Sequence, residues 1–319
     1  MHDGRRVRVL LAGNGVGDAR AAARGRFQVE TVSMSDVPER VGVIGGGRMG
    51  AGVAQAFLTA GARVEVVEAG DEAAEAARGR VADGLEESAR RGKLTGSVAD
   101  VLARLTLVDS PTELGRETDL VVEAVPEVPA LKVQVLSAVA AAVGPAAVLA
   151  TNTSSLSVSE LAAAVERPAR FLGLHFFNPV PASKLVEVVV AAETDPVVVD
   201  AAGDWVRALG KTAIVVRDSP GFASSRLGVL LGLEAIRMLE EGVADAEAID
   251  AAMELGYRHP MGPLRSTDLV GLDVRLAIAE YLAGTLGERF TPPQLLRDKV
   301  AAGELGRKTG RGFHDYTDS

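Results

Sequence analysis

The sequence predicts an α/β fold, a doubly wound parallel sheet followed by an all-helical C-terminal domain. Three observations predict it. Apolar strand-like runs alternate with helical segments from residue 38 to about 218, the pattern of a parallel sheet covered on both faces. A glycine-rich turn at Gly45, Gly47 and Gly50 joins the first of these strands to its helix. After Asp218-Ser219-Pro220-Gly221 the alternation stops and helical periodicity takes over, with Pro and Gly as the punctuation.

Residues 1–37 stand apart. Val7 to Gly13 reads as a strand, but the glycines after it do not fall on a phosphate-binding spacing, and no apolar run of secretory type is present. The segment is read as a loosely attached or disordered extension. An organelle-targeting presequence fits less well because of Asp3 and Asp18, and Met34 offers an alternative start.

The first strand of the sheet is expected at 41–45, and an Ala-rich helix from Met49 to Ala60. Between them Gly45, Gly47 and Gly50 fall on G-x-G-x-x-G. Gly45 permits the tight turn, Gly47 leaves room for a pyrophosphate, and Gly50 lets helix and strand approach closely. Arg48 and Met49 sit within this loop, and the helix N-terminus offers N–H groups to phosphate. A second strand, 63–68, ends in Glu68, 18 positions past Gly50. An acid near that offset meets the ribose 2′-hydroxyl and would repel a 2′-phosphate. The unit is therefore a Rossmann-type one, and NAD is expected over NADP.

Further strands are expected at 105–108, 119–125, 147–150, 170–176, 184–190 and 213–217, with helical segments including 71–91 and 128–142. Beyond the boundary, helices are expected at 222–241, 245–255, 268–286 and 292–302. The domains are thus the extension 1–37, an NAD-binding domain 38–219 and a helical domain 220–319.

Composition narrows the function. With 319 residues, 47% of them hydrophobic and 24% charged, the chain is an ordinary globular protein of two-domain length. A net charge of −9 argues against a nucleic-acid footprint. No apolar stretch is long enough to span a bilayer. With no cysteine, disulfides and thiolate chemistry are excluded, and a cytoplasmic setting is allowed. His2, His175, His259 and His314 are too far apart in sequence to make a metal pair, so no metal is expected.

One constellation carries chemistry. A turn at Pro179–Ala182 would pair the strand of His175 with the strand of Glu187, because the two positions are symmetric about 181. A carboxylate against an imidazole fixes its tautomer and raises its basicity. Beside a nicotinamide, such a base suits alcohol oxidation. Ser154, just after the strand at 147–150, is the candidate to hold the substrate oxygen. Each residue also has a plain structural reading: His175 as a core residue, Glu187 as a strand charge, and Ser154 as part of a helix start at Thr153-Ser-Ser.

These residues sit in longer motifs: Val41 to Gly50, Asn152-Thr-Ser-Ser-Leu156, His175-Phe-Phe-Asn-Pro-Val-Pro181, Lys184-Leu-Val-Glu-Val188, Asp218-Ser-Pro-Gly-Phe222, Met261-Gly-Pro263 and Lys308-Thr-Gly-Arg-Gly-Phe313. Over 38–316 the chain resembles the L-3-hydroxyacyl-CoA dehydrogenase family, including bacterial 3-hydroxybutyryl-CoA dehydrogenases. The resemblance implies His175 as catalytic base, Glu187 as its partner and Ser154 at the substrate oxygen. It implies cofactor contacts at Gly45 to Gly50, Glu68, Glu127, Lys132, Asn178 and Lys308, and an acyl-CoA thioester bound between domains of a homodimer. Arg91, with Arg90 and Lys93, is a candidate for the CoA phosphates. Two positions depart from the family. Ser225 stands where an Asn is usual near the substrate, and Arg265 where Glu is common. These departures keep a carrier-protein thioester or a free hydroxy or sugar acid open as substrate. A non-catalytic NAD-binding protein, comparable to the lens crystallin branch, is the remaining reading, and the intact Ser154, His175 and Glu187 argue against it.

Overall fold

Short runs of β-branched and apolar residues become strands here because both of their faces are covered. The computed structural model describes residues 37–317, so the expected extension, but for Val37, lies outside the described residues. In chain order the elements are β1 (Arg40–Ile44), α1 (Arg48–Thr59), β2 (Arg63–Val67), α2 (Asp71–Arg90), α3 (Val98–Leu102), β3 (Leu105–Val108), β4 (Leu120–Glu123), α4 (Pro129–Ala142), β5 (Val148–Thr151), α5 (Val158–Ala162), β6 (Phe171–Phe176), β7 (Leu185–Val190), α6 (Pro196–Ala208) and β8 (Thr212–Arg217). Then come α7 (Ser224–Glu240), α8 (Ala246–Tyr257), α9 (Pro263–Val270), α10 (Leu272–Leu286) and α11 (Gln294–Ala301).

The strands form one eight-stranded sheet in the order β3-β2-β1-β4-β5-β6-β7-β8. All neighbours are parallel except β6 and β7, which pair antiparallel. The order reverses between β1 and β4, which opens a crevice at the carboxyl ends of the strands, where ligands bind in such sheets. Val53, Phe57, Val81, Leu85 and Val206 pack on one face of the sheet. Leu136, Val139, Val158 and Leu161 pack on the other. A separate core of Val229, Leu233, Ile249, Leu264, Leu282 and Leu296 holds the helical region. No helix among the described residues is long and apolar enough to cross a membrane.

Two expectations need correcting. The helix expected over 268–286 is two helices, α9 and α10, parted at Gly271, whose φ of +104° breaks the turn in a conformation glycine tolerates. The residues Thr153-Ser-Ser do not start a helix. The next helix is α5, and Ser157 caps it by accepting from Glu160 N–H. Periodicity does not single out α3 or α5, because helices of 5 residues are too short to show it.

Candidate active site

The glycine loop does what its spacing requires. Gly45 has φ of +93°, which other residues rarely adopt. A Cβ on Gly50 would lie 1.8 Å from the carbonyl oxygen of Gly45, so only glycine lets α1 come this close to β1. A Cβ on Gly47 would meet nothing within 4 Å; the space over it is open. The N-terminus of α1 has no side-chain cap, which leaves N–H groups free for an anion. Arg48 is exposed there, and Met49 packs inward. The carboxylate of Glu68, just past β2, accepts from the Gly46 N–H and so lies over the loop. Open space at Gly47, uncapped N–H groups and an acid at the end of β2 together fit a dinucleotide with an unmodified ribose.

The His175–Glu187 pair forms as the hairpin symmetry predicts. The two residues face each other across β6 and β7. The turn between the strands is closed by Ala182 and Ser183 N–H groups donating to Pro179 O. His175 Nδ1 lies 2.7 Å from Glu187 Oε2, and both residues are buried. Glu187 also accepts from the Ser224 N–H at 2.9 Å, the Ala223 N–H at 3.2 Å and the Ser224 hydroxyl at 2.7 Å. Burial pushes the Glu187 carboxyl up, but the hydrogen bonds from His175 and Ser224 outweigh it and hold the group below the ordinary carboxylate range. An ionised Glu187 can only accept. The imidazole proton therefore sits on Nδ1, which leaves Nε2 as the basic nitrogen.

Aromatic rings close around this imidazole. The ring of Phe177 is 4.4 Å from it and that of Phe222 is 5.7 Å away, both tilted. Phe222 has φ of +49°, a rare conformation for a bulky residue of the kind found where function sets the backbone. Sequence reasoning missed Phe222 and Ser224. Both lie at the junction of sheet and helices, and their partners are remote in the chain.

Ser154 lies in the loop after β5, at the same sheet edge. Its hydroxyl is not bonded to His175. Its N–H donates to Glu127 Oε1 at 2.9 Å, and its hydroxyl lies 3.4 Å from the same oxygen. Asn152, two residues earlier, accepts from the Phe176 N–H at 2.8 Å and ties the loop to the end of β6. Burial works to raise Glu127, but the Lys132 ammonium and the bonds from Thr153 and Ser154 hold it below the ordinary carboxylate range.

Lys132 is buried against two carboxylates. Its side chain is only 1% exposed, and its ammonium bonds Glu123 at 2.7 Å and Glu127 at 3.3 Å. The ammonium thereby orients Glu127, whose carboxylate is partly exposed. Glu123, fully buried at the end of β4, also accepts from the Thr151 hydroxyl. An acid inside the apolar run Val121 to Val125 is the signal that would have found it.

Five other positions singled out in the sequence make no side-chain hydrogen bond to this cluster. Lys308 is held by both oxygens of Asp273, each at 2.6 Å, at the start of α10. Arg91 is exposed and bonds Glu87. Asn178 is exposed just after β6. Ser225, half-buried in the first turn of α7, makes no side-chain hydrogen bond among the described residues. Arg265 is exposed, and its N–H donates to Asp250.

Residues 40–219 match the model of the 3-hydroxyacyl-CoA dehydrogenase NAD-binding domain. Residues 221–316 match the C-terminal domain of the same enzymes. The chain belongs to the 3-hydroxyacyl-CoA dehydrogenase family. It is 42% identical over 280 residues to a probable 3-hydroxybutyryl-CoA dehydrogenase of Bacillus subtilis, covering 87% of this chain and 97% of that one. It is 42% identical over 287 residues to a 3-hydroxybutyryl-CoA dehydrogenase of Mycobacterium tuberculosis, covering 89% and 100%. Among solved structures, the (S)-3-hydroxybutyryl-CoA dehydrogenase of Ralstonia eutropha superposes with a TM-score of 0.84 at 41% identity, covering 88% of this chain and 100% of that one. For this family member, the glycine loop and the histidine pair lie at the crevice end of one sheet.

Proposed function

We propose that the chain catalyses the NAD-dependent interconversion of (S)-3-hydroxyacyl-CoA and 3-oxoacyl-CoA. The observation that carries this reading is the buried 2.7 Å pair of His175 and Glu187 at the edge of a sheet built for a dinucleotide. The bound nicotinamide supplies a hydride acceptor. His175 Nε2 takes the hydroxyl proton of the substrate as the carbinol becomes a ketone, and returns it in the reverse direction. Glu187 stabilises the imidazolium that forms in a poorly solvated pocket. The Ser154 hydroxyl donates to the substrate oxygen, and Glu127 holds the Ser154 backbone in place.

The enzyme works in the cytoplasm as a homodimer through its helical domain. Apolar side chains left open there, among them Leu227, Leu255, Tyr257 and Leu269, support a subunit contact. The test is NADH oxidation with acetoacetyl-CoA. His175→Ala is expected to lower kcat by about 10²–10⁴-fold. An unchanged kcat would remove His175 from the mechanism. Light scattering of the purified chain reads the subunit count.

A further inference from the structure

One ammonium has no role in the chemistry described so far. Lys211 lies in the loop between α6 and β8 and is half-buried. Lys132, Lys299 and Lys308 each pair with a carboxylate. Lys211 pairs with none among the described residues; its Nζ donates to two backbone carbonyls, Val180 O and Ser183 O, each at 2.6 Å. Burial pulls this ammonium below the ordinary lysine value, so the charge is held there at a cost. Hydrogen bonds from a charged donor are about twice as strong as neutral ones, and both of these grip the same turn.

That turn joins β6 to β7, the strands of His175 and Glu187. The bonds that close it, from Ala182 and Ser183 N–H to Pro179 O, stay within it. Among the described residues, the two bonds from Lys211 are the only hydrogen bonds that join residues 177–183 to a segment outside the hairpin. The segment touches both halves of the site. At its near end the Phe177 ring is 4.4 Å from the His175 imidazole. Midway, Val180 is 2% exposed and lies against α1: a Cβ on Gly52 would sit 2.9 Å from the Val180 Cβ. α1 is the helix whose uncapped N-terminus ends the glycine loop. Lys211 is itself anchored from behind, its N–H donating to Val206 O in the last turn of α6 at 3.1 Å.

We propose that Lys211 is a positioning residue for the reaction: by gripping the β6–β7 turn it fixes the spacing between the cofactor helix α1 and the imidazole of His175. This rests on the dehydrogenase reading above and adds to it a residue that acts through the turn. Hydride and proton leave one carbinol for two acceptors, the nicotinamide and Nε2, so both acceptors must meet the substrate together. A misplacement of about 1 Å costs on the order of 10²-fold in rate.

The chain has no cysteine, so the thiol of Lys211→Cys can be modified selectively. Alkylation with 2-bromoethylamine rebuilds an ammonium at the length of lysine, with sulfur in place of Cγ. Alkylation with 1-iodopropane adds the same length without the charge. The rate with acetoacetyl-CoA is taken per NADH-binding site, so unfolded protein does not count, and NADH affinity is read by fluorescence titration. Lys211→Cys and Lys211→Met are expected to lose about ten- to hundredfold in kcat at an NADH affinity close to that of the parent. The aminoethylated protein should regain most of the rate, and the propylated protein should not. An unchanged kcat in Lys211→Met overturns the proposal and leaves the dehydrogenase reading standing. Equal recovery with both reagents would assign Lys211 to packing, and NADH affinity falling in step with kcat would assign it to cofactor binding; either result overturns the proposal. A parent protein that turns over no acetoacetyl-CoA overturns both readings.

Discussion

Glu187 caps α7 through Ser224, across 37 positions of sequence. The helix has Ala223 at its N-cap, with no side-chain cap of its own. A carboxylate from β7 does that work, and the same carboxylate holds the imidazole of His175. The His175–Glu187 pair and the helical domain are thereby one hydrogen-bonded unit, and the positive end of the α7 dipole favours the ionised acid.

Ser224→Ala tests that unit. It removes the 2.7 Å hydroxyl bond to Glu187 and leaves both backbone donors. Stability should fall by about 1 kcal/mol, read by urea unfolding. The acid limb of the pH–kcat profile should move up, because Glu187 loses a group that favours its charge. An unmoved limb would confine Ser224 to a structural role.

Acid should act through Glu187. Its folded pKa is depressed below the ordinary value of 4.5. Its contribution to stability is therefore complete above 4.5 and is lost as pH falls through the depressed value. Thermal unfolding of Glu187→Gln should be less dependent on pH in that acid window than unfolding of the parent. Equal slopes would show that other carboxylates carry the effect.

Lys132→Ala leaves the fully buried Glu123 without its 2.7 Å partner. Stripping one member of a sealed ion pair costs about 3–5 kcal/mol, measurable by urea unfolding. Glu127 loses its nearest cation in the same variant, so its carboxyl should titrate higher. Adding Glu123→Leu should recover much of the stability; failure to recover it would mean the lysine stem, not the charge, is what packs there.

Two roles within the glycine loop separate cleanly. Gly50→Ala puts a methyl 1.8 Å from a backbone oxygen and should destabilise the folded protein by about 1–3 kcal/mol or more. Gly47→Ala meets nothing in the protein and should leave the melting temperature nearly unchanged while weakening NADH binding, read by fluorescence titration. Equal effects on stability would contradict the geometry.

Glu68→Ala should raise KM for NADH by about tenfold and narrow the preference over NADPH, since the acid no longer repels a 2′-phosphate. Paired assays with the two cofactors check this; an unchanged ratio would remove Glu68 from cofactor choice.

Much of this protein is written locally. The strand-turn-helix at Gly45 to Gly50 is legible because each glycine answers a local backbone need. The pairing of His175 with Glu187 is legible because a hairpin's register follows from the position of its turn. The alternation of strands and helices likewise fixes the sheet, since buried strands and amphipathic helices carry their own periodicities. Tertiary structure alone decides the rest. Lys132 reads as a helix-start charge until β4 brings Glu123 against it. Ser224 and Phe222 read as the start of a helix until the helical domain folds back on β7. The physical reason is the same in each case. A side chain's charge state and role depend on the groups packed against it, and those groups come from segments that no local pattern in the chain connects.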